Sequence, residues 1–242
     1  MLENQGDYEG SFKAFKVADK LGEEEFRKGR LFEIAVKLGD ISIMPESWKN
    51  DYASDLLFFE NYFNQNWGNC LTIIDTASNW RLDEDQLLYR KASIHYMTSA
   101  IDSSKHYANQ LIDYYNEYPD QLDPSLKAAA FSLLGKRSES IALIHSGVYR
   151  NSNWIPIDEE DLWRSLECMK DEVYNYVLQN DYVKATSTLL ALNEQYPSYG
   201  DYIEFITDPF YNRIKKEHPP FATAVQQLKL PVLVPFDAPL KD

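Results

Sequence analysis

A short pattern of residue sizes recurs along the chain and leaves few folds open to it. In QGDYEGSFKAFKVADKL (residues 5–21), Gly6 is followed at five positions by a small residue (Ser11), at nine by a bulky one (Phe15) and at twelve by a small one (Ala18). The same offsets from Gln65 give Cys70, Ile74 and Ala77, and from Gly135 they give Ser140, Ile144 and Gly147. From Asn180 they give Ala185 and Leu189, with Leu192 departing at the third place; a weaker copy from Ser103 gives Ala108, Ile112 and the large Tyr115. Phe12, Phe15, Ala18 and Leu21 recur at helical spacing, so the segment after each anchor reads as an amphipathic helix. Each later copy is preceded by a second amphipathic segment, roughly 51–64, 84–100, 123–134 and 159–178. The unit is therefore a helical hairpin. Two antiparallel helices approach closely only where one offers Ala, Ser, Cys or Gly at the crossing and a bulky neighbour fills the groove beside it. A lone hairpin cannot bury its apolar face, so the copies must stack.

The glycines of the first copy do not cradle a phosphate. No strand precedes them, and the same turn recurs without glycine at Gln65 and Asn180. The chain has only 9 glycines in 242 residues, too few for a sandwich of tight β-hairpins, while 44% hydrophobic residues suffice for a large core. A net charge of −14 makes nucleic acid and anionic lipid poor partners, because the bulk surface repels phosphate. No run of 18 apolar residues offers a membrane span. MLENQGDYEG lacks the apolar stretch of a signal peptide, and Cys70 and Cys168 fit no ligand spacing. A cytoplasmic location with free thiols is expected.

Motifs that carry chemistry are missing from the sequence. His95, His106, His145 and His218 have no His or Cys neighbour at helical ligand spacing, so neither metal nor cofactor is expected. No G-x-S-x-G, phosphate-binding loop or H-E-x-x-H occurs. The acidic runs Glu23–Glu25 and Asp158–Asp161 sit where helices start, where negative charge favours the helix dipole. No catalytic residue is assigned, and the chain reads as a non-enzyme.

QGDYEGSFKAFKVADKL, LGKRSESIALIHSG and QNDYVKATSTLLALNEQYP resemble the tetratricopeptide repeat. That family has a period of roughly 34 residues; the anchors here lie 59, 38, 32 and 45 residues apart, with an additional helix at about 23–38 in the longest gap. ITDPFYNRIKKEHPPFATAVQQLKLP is similar to the closing segment of many bacterial tetratricopeptide modules attached to regulators, cyclases or kinases, with Phe210, Ile214 and Phe221 covering the last repeat. The resemblance implies an all-α, right-handed superhelix of about five irregular hairpins (roughly 1–38, 47–79, 84–118, 123–149 and 159–196). A cap at 201–230 and a proline-rich tail at 231–242 would follow.

On that template the first helix of each hairpin lines a concave groove. Its wall would be Tyr52, Asp55 and Phe59, then Arg90, Ser93 and Met97, then Ser125, Ala129 and Ser132, then Lys170, Tyr174 and Val177. The implied function is a protein-interaction module, a fragment of a larger bacterial regulatory or signalling protein, holding a peptide, a protein or a second copy of itself. The alternative is a ligand-sensing domain that holds a small molecule or peptide and controls an attached effector. Arg90 and Lys170 alone do not make the clamp of Lys, Arg and Asn with which the family grips peptide carboxylates. Tyr52, Phe59, Met97 and Tyr174 separate the two: one open surface favours a partner chain, and a cavity of roughly 300 Å³ or more favours a small ligand.

Overall fold

The computed structural model describes residues 25–44, 52–76, 83–146, 160–197 and 202–228. The copy that starts at Gly6, the third-site residues Ala77 and Gly147, and the tail 231–242 lie outside them. Among the described residues every regular element is helical. The α-helices are α1 (Glu25–Leu38), α2 (Ala53–Phe63), α3 (Trp67–Thr76), α4 (Glu84–Met97), α5 (Ile101–Glu117), α6 (Pro124–Leu133), α7 (Arg137–Ile144), α8 (Glu160–Leu178), α9 (Tyr182–Gln195), α10 (Tyr202–Thr207), α11 (Asn212–Glu217) and α12 (Pro219–Gln226). Helices α2 and α3, α4 and α5, α6 and α7, and α8 and α9 pack as hairpins. The first helices of successive hairpins also touch, α4 on α6 and α6 on α8.

One backbone device ends five of these helices. The described residues with positive φ are Gly39 (67°), Gln65 (57°), Ser99 (61°), Gly135 (78°) and Asn180 (55°). Each donates its N–H to the carbonyl three residues back, and the next residue donates to the carbonyl five back, as in Gln65 to Tyr62 and Asn66 to Asn61. This is the Schellman motif, which satisfies the last carbonyls of the helix and reverses the chain. Four of the five turns join the two helices of a hairpin. The turn of the second hairpin is Ser99, not Ser103 as the size pattern suggests, a displacement of one helical turn. The register error has a simple cause: Ala108 and Ile112 mimic the small and bulky sites one turn further on. With Ser99 as anchor, the successive turns from Gln65 to Gly135 are 34 and 36 residues apart, and the next interval is 45.

The helix crossings lie where the small residues put them. Five residues after each of these four turns stand Cys70, Ser104, Ser140 and Ala185, all 0–2% exposed. Twelve residues before them, on the partner helix, stand Phe58, Ala92, Ala128 and Val173, likewise 0–2% exposed. Ser104 Oγ donates to the Ala92 carbonyl at 2.9 Å, and Cys70 Sγ lies 3.8 Å from the Phe58 carbonyl. In the third hairpin the same position feeds a buried polar network. Asn175 Oδ1 accepts from Ser132 (2.7 Å) and Ser140 (3.0 Å), and Gln179 Nε2 donates to Ser132 Oγ at 2.9 Å.

The C-terminal segment has two roles. Asp208 Oδ1 accepts from the Phe210 N–H at 2.8 Å, capping the 3₁₀ turn Pro209–Tyr211, whose first residue is proline. Ile214 and Phe221 are fully buried in the main core, and α12 packs on α9, so this part closes the last hairpin. Phe210 belongs to the same core and covers the first helix of that hairpin. Its ring stacks on Tyr174 of α8 at 4.4 Å between centroids. Helix α10 meanwhile packs on α1, where Thr207 Oγ1 donates to the Lys37 carbonyl at 2.8 Å. Residues 25–38 and 202–207 thus meet, although they stand near opposite ends of the described chain.

Two substitutions test this reading. Gln65→Gly removes a side chain from left-handed backbone and is expected to raise the unfolding free energy by about 1 kcal/mol. Ala92→Leu overfills a crossing and is expected to lower it by about 1–3 kcal/mol. Urea unfolding followed by circular dichroism measures both.

Candidate functional site

The face made by the first helices holds a cavity of about 190 Å³. Helix α2 contributes Phe58, Phe59 and Tyr62, and α4 contributes Tyr89, Arg90, Ser93 and Ile94. Spacings of three and four residues place these side chains on one face of each helix. Tyr174 comes from α8, and Asp208 and Phe210 complete the wall. The C-terminal segment is therefore part of the site: Tyr62 Oη donates to Asp208 Oδ1 at 2.7 Å, across 146 residues of sequence.

Arg90 is the cation of this cavity. Its guanidinium carbon lies 4.5 Å from the Phe58 ring centroid and 4.6 Å from that of Phe59, so two aromatic faces hold it. Burial lowers its pKa to about 10, and attraction to Asp55 opposes the shift. Of the side chains that line this cavity, Arg90 Nη1 and Ser93 Oγ are buried without a hydrogen-bond partner. Tyr89 and Tyr174 hydrogen-bond to each other through their hydroxyls. Burial pushes the Tyr89 hydroxyl up to about 12, and those of Tyr62 and Tyr174 well above their ordinary value. Ser93 lies near the Tyr89 and Tyr174 hydroxyls but does not reach hydrogen-bonding geometry with either. Burial also raises the Asp208 carboxyl, against the hydrogen bonds from the Phe210 N–H and Tyr62.

A second cavity of about 140 Å³ lies beyond the Tyr89–Tyr174 pair. Ser125, Leu126 and Ala129 of α6, Lys170 and Asp171 of α8, and Glu204 and Tyr211 line it. Lys170 Nζ is ion-paired there, 3.2 Å from Glu167 and 3.8 Å from Glu204.

The residues expected along the groove divide accordingly. Phe59, Arg90, Ser93 and Tyr174 line the first cavity; Ser125, Ala129, Lys170 and Tyr174 line the second. Tyr52 does not: it precedes α2, is 3% exposed and stacks on Phe32 of α1 at 4.9 Å. Asp55 is buried at 2% exposure, Met97 packs against two core clusters, and Ser132 belongs to the network with Asn175. Val177, at 3%, is core, and its carbonyl accepts from Tyr96 Oη at 2.8 Å. For Tyr52 the physical reason is α1, which covers a surface that a lone hairpin would expose. Tyr62 and Tyr89 escaped the sequence reading although each lies within one turn of a residue it selected. Asp208 and Phe210 carried a capping signal only, and no local pattern places a cap against a helix far away in sequence.

The lining of the Arg90 cavity contains no histidine or cysteine. Among the described residues no group of three or more His, Cys, Asp or Glu could hold a metal ion, and no helix is long and apolar enough to cross a membrane. No family model, curated protein or solved structure matches the chain. The site itself is thus the ground for a functional reading: a cation without a full set of acceptors, set among aromatic rings.

Asp208 offers a test of this electrostatic picture. A carboxyl whose pKa is raised by folding contributes stability below its unfolded value of about 3.9, and that contribution is lost as pH rises through the raised value. Asp208→Asn removes this dependence while keeping an acceptor for Tyr62. The stability of Asp208→Asn relative to the parent chain is expected to increase from pH 3 to pH 7, by about 1.4 kcal/mol for each tenfold gain in proton affinity that folding gives the carboxyl. Urea unfolding at both pH values measures it.

Proposed function

We propose that the chain is a non-enzymatic recognition module of tetratricopeptide-like hairpins in a right-handed superhelix, and that it holds a small ligand in the cavity beside Arg90. Turn intervals of 34 and 36 residues and the buried small residues after each turn support the repeat reading. One observation carries the choice of a small ligand over an extended peptide. Asp208 and Phe210 occupy the inner face, held by Tyr62 and Tyr174, where a bound peptide would lie along the first helices. This is the ligand-sensing reading, with occupancy passed to an attached effector.

A second reading has a specific observation behind it. At about 190 Å³ the cavity falls below the roughly 300 Å³ at which ordinary small-molecule sites begin. One side chain of a protein partner would fill it as an anchor.

Thermal unfolding in the presence of a chemically diverse library of small molecules decides between them. Molecules of about ten non-hydrogen atoms, at a hundredfold over Kd, are expected to add about 2.7 kcal/mol and raise Tm by roughly 5–10 °C. Ser93→Leu, which fills the cavity, is expected to abolish the shift. A protein partner whose binding survives in the parent chain and fails in Ser93→Leu, with no small molecule active, would establish the anchor reading instead.

A further inference from the structure

We infer that the Arg90 cavity binds a carboxylate carried on a single aromatic ring. This rests on the reading of the cavity as the recognition site and names the chemistry of its occupant. The polar groups of the wall are unequally satisfied. Asp208 Oδ1 already accepts from the Tyr62 hydroxyl and the Phe210 N–H. Arg90 Nη1 and Ser93 Oγ, in contrast, are buried without partners. The hydroxyls of Tyr89 and Tyr174 bond to each other, and only one of their two protons can lie between the oxygens. Arg90 can only donate and Ser93 can do either, so the unmatched charge is a donor and its occupant has to bring an acceptor.

Charge and volume narrow it further. Desolvation works against the Arg90 charge, so an anion beside the guanidinium would relieve a cost that is already present. Asp55 offsets part of that charge, which favours a monoanion over a dianionic phosphate. A second cation would meet repulsion, and Arg90 already covers the faces of Phe58 and Phe59. A neutral hydrocarbon would leave the donors unmatched. A cavity of roughly 150 Å³ accommodates benzene, so about 190 Å³ leaves room for one ring and a carboxylate. Tyr62 and Phe210 supply edges and faces for that ring.

Titration calorimetry of the full chain tests the inference with benzoate, phenylacetate and 3-phenylpropionate, each against its neutral amide. A short peptide ending in phenylalanine, as free acid and as amide, distinguishes a chain end from a free small acid. At least one acid is expected to bind at one site, with its amide at least tenfold weaker. Arg90→Gln is expected to weaken the acid by roughly ten- to a hundredfold, the equivalent of a charged hydrogen bond, and Arg90→Lys by less. If Arg90→Gln does not fold, Ser93→Ala serves, with an expected loss of several-fold. Binding of the peptide acid alone would uphold the carboxylate chemistry and assign its source to a chain end. Equal binding of acid and amide, or of parent and Arg90→Gln, would overturn the inference. So would failure of every acid where neutral library molecules raise Tm, and the cavity reading would then survive. Failure of every molecule of any charge would overturn that reading first.

Discussion

Two helices cross closely wherever a small residue follows a left-handed turn by five positions, and the remaining contacts of the fold are built on that crossing. Phe58 with Cys70, Ala92 with Ser104, Ala128 with Ser140 and Val173 with Ala185 are four instances of one contact, and all eight residues are almost fully buried. A larger side chain at the place five residues after the turn would part the helices and open the groove into which the next hairpin packs. The turns work with the crossings. Because Gln65, Ser99, Gly135 and Asn180 reverse the chain with the same pair of hydrogen bonds, each second helix returns in the same register.

Stacking hairpins in this way leaves the first helices side by side, and the aromatic residues on their shared face need cover. The segment from Tyr202 to Tyr211 supplies it. Phe210 stacks on Tyr174, Asp208 accepts the Tyr62 hydroxyl, and Thr207 ties the segment to α1. Covering the face also withdraws water from Arg90, Tyr89 and Tyr174. Burial is the largest cause of their pKa shifts, and Phe58 and Phe59 of α2 share in it with Asp208 and Phe210 of the distant segment. A low-dielectric surrounding makes each unmatched donor costly, and it strengthens the response to an acceptor of opposite charge.

How far the sequence could be read varies with the range of the interaction. The hairpins were legible because size alternation and helical period are local. The turns at Gln65, Gly135 and Asn180 are found where that pattern places them. The turn at Ser99 is not, since Ala108 and Ile112 satisfy the same pattern one helical turn out of register. Of the residues expected along the groove, Phe59, Arg90, Ser93 and Tyr174 line one cavity, because helix phase puts them on the face that the first helices share. Tyr52 and Val177 are buried by neighbours, α1 and Tyr96, whose approach no local pattern reports.

Residue order alone was enough for an all-helical chain of hairpins, the positions of three turns, and part of the face that the first helices share. These follow from backbone geometry and residue size over spans of about a dozen residues. Long-range packing settled that this face is covered, which aromatic residues bound the cavity, and that Arg90 lies there short of acceptors. Those outcomes depend on Asp208 and Phe210 meeting Tyr62 and Tyr174 from far along the chain. Burial is a property of everything packed around a residue rather than of the residue itself.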